Sequence, residues 1–363
     1  MRIVDLHCDT ILHCYTEGKS LRDYPGHISI EKLQKGGCLA QCFALFIPTH
    51  VSAKEHLGLE REPWEVYQEL LHCYRINLEE CAEWIRPALS PEDILQNKEA
   101  GLMSSILTIE DAVELDGRLE RLDTVYKDGV RMIALTWNYE NCIGFPNCGD
   151  HEAHTRKGLK LFGFQALERM NELGILVDVS HLSEAGFYDV ASHSKKPFAA
   201  SHSCCRALRD HPRNLTDDQL RTLGESGGVV GINFYDVFLG GREGYTTAED
   251  IVRHMVHAKN KAGIESVALG SDMDGIESTL EFKDYSGNPV LLSAMEKKFT
   301  ADEIDKICSG NFLRVFSAQN DDRSVSNRIT PPVRGDFCQE PWIRTSFTRH
   351  FDTKELIDGN GKL

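Results

Sequence analysis

Residues 170–183 read Met-Asn-Glu-Leu-Gly-Ile-Leu-Val-Asp-Val-Ser-His-Leu-Ser and contain one complete unit of the predicted fold. A helical pattern over 159–173 ends at Gly174, and glycine is the residue expected where a helix stops. An apolar run typical of a buried strand follows at once and closes on His181, an imidazole that can bind metal or carry protons. The stretch therefore predicts a strand with a chemically active residue at its carboxyl end.

The same unit recurs along the 363-residue chain. Strand-like apolar runs begin near residues 2, 38, 103, 131, 175, 197, 228 and 266. The helical patterns between them cover 63–85, 118–128, 159–173, 183–194, 216–226 and 247–262. Strands that alternate with helices indicate a parallel sheet, and eight repeats predict an α/β fold, the closed (β/α)8 or TIM barrel. A doubly wound open sheet is the alternative, but no Gly-x-Gly-x-x-Gly follows the first strand to support nucleotide binding.

The barrel is expected to occupy residues 1–316. After Phe316 the chain becomes polar, contains Pro331-Pro332 and has few periodic apolar positions. This tail, 317–363, is compatible with packing on the barrel, with covering a subunit interface or with partial disorder.

Composition and charge limit the partners. Acidic residues outnumber basic ones by 56 to 40, and the formal net charge of −16 works against binding to nucleic acid or anionic membranes. Residues 1–5 lack the apolar core of a secretory signal, and no window approaches the ~20 apolar residues of a membrane-spanning helix. We expect a soluble cytoplasmic protein whose twelve cysteines are reduced thiols and not a disulfide framework.

In a (β/α)8 barrel the active site lies at the carboxyl ends of the strands, so functional residues should close strands. Side chains that can bind metal or carry protons do so repeatedly: His7 and Asp9 close the first candidate strand, Glu110 the third, His181 the fifth, His202 the sixth and Asp272 the eighth. His7 and Asp9 are separated by one residue, and side chains with that spacing on an extended segment point the same way. The topology therefore predicts one shared site.

These residue types suffice for two metal ions if the glutamate bridges them. One ion takes His7, Asp9 and one oxygen of Glu110. The other takes the second oxygen, His181 and His202. Imidazole combined with carboxylate favours zinc over calcium or magnesium, so the predicted cofactors are two Zn²⁺ ions. Zinc lowers the pKa of a bound water to about 7, which makes hydrolysis the natural reaction.

Two further residues complete the predicted chemistry. Asp272 can accept the proton of that water and pass it to the leaving group, first as general base and then as general acid. Asp274 competes for this role, but we favour the interpretation that it holds the turn before Gly275. An arginine on the loop after His202 can clamp a substrate carboxylate with two parallel hydrogen bonds, which lysine does poorly, and its place in a matching motif makes Arg213 our choice over a solvated surface charge.

The remaining histidines do not close strands, and we interpret them as surface or structural residues. His151 and His154 have the spacing of a ligand pair but lie in a loop-like stretch, so no metal is assigned to them.

Together these residues resemble the membrane (renal-type) dipeptidases, peptidase family M19, within the amidohydrolase-like superfamily. The resemblance covers most of residues 3–316 and rests on five blocks, at 5–10, 170–183, 201–203 with 213–214, 270–275 and 310–316. It implies a TIM barrel of the metal-dependent hydrolase type with two zinc ions, in which Glu110 bridges, Asp272 handles the proton and Arg213 lies near the substrate carboxylate. It also implies cleavage of dipeptides, including those with a C-terminal D-residue, and a homodimer.

The chain departs from the family pattern at two places. Where animal dipeptidases have a substrate-contacting histidine in Leu-Thr-His, residues 135–138 read Leu-Thr-Trp-Asn, and an indole cannot accept a proton. We expect Trp137 and Asn138 to line the substrate pocket and to alter its range. Residues 109–112 read Ile-Glu-Asp-Ala and lack the Gly-Gly that follows the family's glutamate, with Asp111 expected to point away from Glu110. A metal-dependent amidohydrolase that acts on another small amide, ester or lactone is the alternative function.

Overall fold

The computed structural model describes residues 2–49, 61–148 and 151–320, and for 151–153 it describes the backbone alone. The predictions for the tail beyond Asn320 and for the side chains of His50, His56 and His151 lie outside the described residues. None of the helices in these ranges combines the length and the apolar character that a membrane crossing requires.

Eight parallel strands close into a ring, which confirms the predicted (β/α)8 barrel. The barrel strands are β1 (Ile3–Asp5), β2 (Cys38–Phe46), β4 (Met103–Glu110), β5 (Val130–Ala134), β6 (Leu176–Asp178), β7 (Ala199–Ser203), β8 (Val229–Ile232) and β10 (Val267–Leu269). They follow the order β2-β1-β10-β8-β7-β6-β5-β4, and β4 pairs back with β2, which rules out the open sheet. Each strand begins within two residues of its predicted start.

Three short strands lie outside the ring. β3 (Ile85–Pro87) pairs with the first residues of β4, ahead of the segment that pairs with β5. β9 (Tyr245–Thr246) and β11 (Thr279–Leu280) form a separate two-stranded parallel sheet. None of the three was predicted, because runs of two or three residues show no periodic pattern.

The helices surround the ring. They are α1 (Thr10–Glu17), α2 (Ile30–Lys35), α3 (Pro63–Glu80), α4 (Pro91–Glu99), α5 (Leu119–Asp128), α6 (His151–Arg156), α7 (Leu161–Leu173), α8 (Glu184–His193), α9 (Asp217–Glu225), α10 (Asp236–Leu239), α11 (Ala248–Ala262), α12 (Asn288–Met295), α13 (Ala301–Asp305), a π-helical turn (Lys306–Gly310) and α14 (Asn311–Ala318). The six predicted helices correspond to α3, α5, α7, α8, α9 and α11. The prediction for α3 was five residues too long, because the chain turns from Glu80 into β3.

Local chemistry sets where the helices begin and end. Gly174 ends α7 in the left-handed conformation, with φ 69°, as its position in the sequence predicts. Thr216 and Thr247 begin α9 and α11 with reciprocal capping boxes, which satisfy backbone N–H groups that would otherwise lack a partner. These residues fix where the helices begin and end, and the barrel strands occupy segments between them.

The amino-terminal parts of the barrel strands form a continuous apolar core. One cluster of buried residues takes at least one side chain from each strand of the ring: Val4, Ala40, Ile106, Met132, Leu176, Ala199, Val229 and Ala268. Helix α14 packs on the same cluster through Phe312 and Phe316, whose rings stack with centroids 5.5 Å apart. The barrel is thus held together at one end, and the other end is available for polar side chains.

Gly231, in β8, allows three neighbouring chain segments to approach closely. A Cβ atom there would lie 2.0 Å from the carbonyl oxygen of Ser201 and 3.0 Å from Cα of Gly270. We therefore expect Gly231→Ala to lower the free energy of unfolding by about 1–3 kcal/mol, the usual cost of overpacking. Thermal and denaturant unfolding measure the change.

Gly310→Ala is the matched control, because the nearest atom to a Cβ there is 3.7 Å away and the backbone is already helical. This variant should equal or exceed the wild type in stability. A Gly231→Ala protein as stable as Gly310→Ala would contradict the packing argument.

Candidate active site

The structure brings the six residues that were predicted to bind metal or transfer protons to one end of the ring. Glu110 is the last residue of β4 and His202 lies within β7. The others follow the ends of β1, β6 and β10 by two to four residues: His7, Asp9, His181 and Asp272. All six side chains are buried or nearly so.

One half of the site forms around His7. Its Nε2 atom lies 3.3 Å from Oδ2 of Asp9, 3.5 Å from Oε2 of Glu110 and 3.8 Å from Oδ1 of Asp272. Burial lowers the pKa of His7, but the carboxylates of Asp9 and Glu110 outweigh burial and hold that pKa well above its usual value. His7, Asp9 and Asp272 offer one imidazole and two carboxylate atoms within 4.8 Å of one another, close enough to share one ion, and His7, Glu110 and His202 form a second group of this kind.

The other half forms around the second oxygen of Glu110. Oε1 lies 3.1 Å from Nε2 of His181 and 3.5 Å from Nε2 of His202. The glutamate thus directs one oxygen to each half of the site. It joins two groups of possible ligands that come from opposite parts of the ring.

The two imidazoles of this second half face each other with their Nε2 atoms 3.0 Å apart. Nδ1 of His181 lies 3.0 Å from Oδ1 of Asn138, and Nδ1 of His202 lies 2.7 Å from Oγ of Ser201. Burial, with the charges of Arg213 and His7 added to it, lowers the pKa of both histidines well below the usual value, which favours neutral rings. When each Nδ1 donates to its neighbour, each Nε2 carries a lone pair, and two facing lone pairs repel unless a cation lies near them.

Further atoms in the site lack a hydrogen bond among the described residues, and they include Nε2 of His7 and Oδ1 of Asp9. Burial, with the charge of Asp9 added to it, raises the pKa of Glu110 to about 8. A buried carboxylate stays ionised near neutral pH when a cation compensates it. The donor set, its geometry and its unpaired atoms therefore fit divalent metal ions.

Two of the site residues have left-handed backbones. His181 has φ 67° and Asp272 has φ 60°, and neither is a glycine. Such a conformation costs of the order of 1–3 kcal/mol and clusters at functional sites, where the surrounding contacts impose it. Here it turns each side chain into the ring directly after its strand.

Sequence reasoning missed the residues behind the site. Asp5 and Asp178 end β1 and β6. Asp178 accepts hydrogen bonds from the backbone N–H and the hydroxyl of Ser201 in the neighbouring strand β7, and Asp5 accepts the same pair from Ser271, two residues after the end of the neighbouring strand β10. Asn233, after β8, donates to Oδ2 of Asp272 at 2.8 Å. The sequence contained a signal for these two pairs. An aspartate within an apolar run needs a buried partner, and so does a serine directly before a site residue, as Ser201 and Ser271 are.

Arg213 reaches the site from the loop after β7, as predicted. It is buried, its Nη2 donates to the carbonyl oxygen of His202 at 3.2 Å, and its Cζ lies 5.3 Å from the ring centroid of Phe238. Its Nε and Nη1 atoms have no hydrogen-bond partner among the described residues. An arginine with free donors in a buried position suits a carboxylate ligand.

Trp137 forms an aromatic wall beside His181. Its ring centroid lies 4.9 Å from that of Phe46, 6.0 Å from that of Tyr139 and 6.2 Å from that of His181. Asn138, the next residue, directs its side-chain oxygen to His181. The predicted pair therefore borders the site, with Trp137 as an apolar surface and Asn138 as a partner of an imidazole.

Two carboxylates near the site residues in sequence, Asp111 and Asp274, have other partners. Asp111 follows the end of β4 and accepts from Nδ2 of Asn141 at 2.7 Å. Asp274 accepts from the Thr10 hydroxyl at 2.6 Å and from the backbone N–H of His27 at 2.5 Å. Both carboxylates hold loops, which for Asp274 is the interpretation favoured from the sequence.

A (β/α)8 barrel with buried His, Asp and Glu side chains gathered at the carboxyl ends of its strands has the arrangement of a metal-dependent hydrolase. Residues 1–328 match the family described as membrane dipeptidase (peptidase family M19). The chain belongs to this family, and it is a metallo-dipeptidase.

The chain is also similar to a relative and to two solved structures. A Klebsiella pneumoniae protein encoded in the 5′ region of pqqA is 36% identical over 265 residues, 70% of this chain and 96% of that protein. The crystal structure of dipeptidase AC, a metallopeptidase of family M19, has a TM-score of 0.79 and 25% identity, and the match covers 88% of this chain and 98% of that one. A Rhodobacter sphaeroides metallopeptidase, crystallised with a phosphinate mimic of the dipeptide L-Ala-D-Ala, has the same TM-score of 0.79 at 24% identity, with 88% and 99% covered.

Zinc should stabilise the wild-type protein, and His202→Ala should lose most of that effect. A ligand that binds only the folded state adds RT ln(1 + [L]/Kd), about 2.7 kcal/mol at 100 times Kd. His202 offers a buried nitrogen to the site, so its removal weakens binding. Thermal unfolding with excess zinc and with chelator measures the shift in Tm.

His257→Ala is the control. This histidine lies on the outer helix α11, and its Nε2 contacts Oδ1 of Asp217, on α9, at 2.7 Å. It should keep the wild-type shift. The same shift in His202→Ala would mean that zinc binds elsewhere.

Proposed function

We propose that this protein is a binuclear zinc dipeptidase that hydrolyses the peptide bond of dipeptides, including those with a C-terminal D-residue. The observation that carries the proposal is the position of Glu110, whose two oxygens face separate groups of ligands at 3.1–3.5 Å. A single carboxylate placed in this way suits two ions held a short distance apart.

In this proposal His7, Asp9 and Oε2 of Glu110 would hold one ion, and Oε1 of Glu110, His181 and His202 would hold the other. Three of the five ligands are imidazoles, which favours zinc over harder divalent ions. Bound zinc supplies a Lewis acid and lowers the pKa of water, so that hydrolysis proceeds near neutral pH.

Asp272 is the residue proposed to transfer the proton. Burial raises the pKa of its carboxyl group to about 6, with the charge of Asp9 adding to this and His7 opposing it. Asn233 donates to Oδ2, while Oδ1 points towards Nε2 of His7. The carboxylate can therefore take a proton from the attacking water and deliver it to the departing amine.

Arg213 is proposed to bind the carboxylate of the dipeptide. Its Nε and Nη1 atoms have no hydrogen-bond partner among the described residues, so each can donate to a substrate carboxylate, and the Nη2 contact with His202 fixes the plane of the guanidinium group. Substrates with a free carboxylate at the C-terminal residue are thereby favoured. The aromatic wall of Phe46, Trp137 and Tyr139 offers apolar contact area for a substrate side chain.

Support for a D-residue comes from the Rhodobacter sphaeroides structure, whose bound mimic carries D-Ala in the second position and whose fold matches this barrel. A cytoplasmic location, a homodimer and a tail that packs on the barrel or at a subunit interface stay predictions.

A metal-dependent amidohydrolase that acts on another small amide, ester or lactone is the second candidate. Trp137 favours it, because an indole 6.2 Å from His181 cannot provide the hydrogen-bond acceptor that an imidazole offers in animal dipeptidases. The two candidates share the metal site and differ in the substrate.

Hydrolysis of a panel of L,L and L,D dipeptides tests the proposal. The purified protein should be inactive after metal removal and regain activity when two zinc ions per chain are restored. The corresponding dipeptide amides should be poor substrates, because they offer no carboxylate to Arg213. A protein that binds two zinc ions and cleaves no dipeptide would favour the second candidate.

Asp272→Asn should keep two bound metals and lose about 10²–10⁴-fold in kcat, the range typical of general acid–base catalysis. The amide preserves the shape but cannot accept and return a proton. Metal content and kcat are measured on the same samples. Asp274→Asn is the matched control, expected to lose stability and to retain turnover, and equal losses of kcat in both variants would remove Asp272 from this role.

A further inference from the structure

Two matched networks lie behind the site. Asp178 accepts from the backbone N–H of Ser201 at 2.9 Å and from its hydroxyl, and Asp5 accepts from the backbone N–H of Ser271 at 2.8 Å and from its hydroxyl at 2.5 Å. In each network the aspartate ends a short strand, and the serine comes directly before a site residue, which is His202 within the neighbouring strand β7 or Asp272 shortly after the neighbouring strand β10. Both aspartates are buried.

Only the first of these two networks reaches an imidazole directly through its serine. Oγ of Ser201 lies 2.7 Å from Nδ1 of His202. A carboxylate has no hydrogen to donate, so the hydrogen between Asp178 and Ser201 belongs to the serine hydroxyl. That hydroxyl then has only lone pairs to offer His202, and Nδ1 must carry the ring hydrogen.

The proton on Nδ1 decides what His202 can do at the other side of its ring. A neutral imidazole has one N–H, so Nε2 is left with a lone pair. Nε2 is the atom that faces Oε1 of Glu110 at 3.5 Å and Nε2 of His181 at 3.0 Å. The opposite tautomer would place a hydrogen in this gap and exclude a metal ion.

We propose that Asp178 and Ser201 are positioning residues that fix His202 as its Nδ1–H tautomer and so keep Nε2 available as a ligand. The part of this inference that concerns metal affinity rests on the proposed function. Ser201 alone does not suffice, because a hydroxyl can donate to Nδ1 as readily as accept from it. Asp178 sets the direction of the hydrogen bonds along the network.

Asp178→Asn should reverse that direction. The oxygen of the new amide can replace Oδ1 and still accept from the backbone N–H groups of Ser180 and Ser201, each 2.9 Å away. The amide nitrogen then donates to Oγ of Ser201, whose hydrogen turns towards Nδ1 of His202, 2.7 Å away, in preference to the hydroxyl oxygen of Ser180, 3.4 Å away. The ring hydrogen moves to Nε2, where it blocks the metal.

Nitrogen-15 NMR of metal-free, substrate-free protein reads the tautomer of His202, with the signal assigned from its loss in His202→Ala. Wild type should be the Nδ1–H form and Asp178→Asn predominantly the Nε2–H form. Zinc affinity, measured by competition with a chelator, should fall by about 10- to 100-fold, as is typical when the partner of a ligating histidine is changed. A wild-type tautomer and affinity in Asp178→Asn would overturn the proposal.

Asp5→Asn is the matched control, because its network contains no imidazole on the serine. The His202 tautomer should stay Nδ1–H in this variant, and a change to Nε2–H would show that the effect is not carried by Asp178.

If Asp178→Asn fails to fold, Ser201→Ala and Ser201→Thr decide. Loss of the tautomer preference in Ser201→Ala with recovery in Ser201→Thr supports the proposal, and a wild-type tautomer in Ser201→Ala overturns it.

The tautomer is read without metal or substrate, so the two proposals can fail separately. A tautomer change in Asp178→Asn, combined with a wild-type protein that cleaves no dipeptide, would support the positioning role and reject the dipeptidase substrate. Suppose instead that the wild type cleaves dipeptides but its His202 is the Nε2–H form before metal is added. This result would support the dipeptidase substrate and reject the positioning role.

Discussion

The pairing of β2 with β4 is the contact on which the site depends. It runs from Ala40 beside Ser104 to Phe46 beside Glu110 and closes the sheet into a ring. In an open sheet the two strands would lie at different edges, whereas closure brings all the strand ends to one rim. Glu110 stands at the last pair of this contact, so the same interaction that completes the barrel delivers the carboxylate shared by the two groups of ligands.

Closure concentrates ionisable groups in the interior, and this has an energetic consequence. Burial opposes the charged forms of Glu110 and Asp272, whose pKa values rise to about 8 and about 6. Cations at the rim would compensate those carboxylates and the facing nitrogens of His181 and His202. Metal binding and stability are therefore coupled, and the backbone strain at His181 and Asp272 can persist because other contacts determine the fold.

The sequence predicted the parts that carry strong local patterns. The strand starts, the helix stop at Gly174 and the positions of the candidate ligands near strand ends were all visible, since burial on both faces requires long apolar runs and the barrel places function at their ends. Short helices such as α1 and α2 were missed because a segment of six to eight residues is too short to show a clear apolar periodicity. Asp5 and Asp178 were missed as partners of serines because hydrogen bonds between strands depend on register, which the linear order does not contain.

The left-handed residues His181 and Asp272 are followed by connections of different length. After His181 the next helix, α8, begins at Glu184, whereas after Asp272 the next α-helix, α12, begins only at Asn288. Connections of very different length thus leave from the same backbone conformation. The rim is modular in this sense: insertions and deletions in the connecting segments can reshape the entrance to the site while the residues inside the ring keep their places.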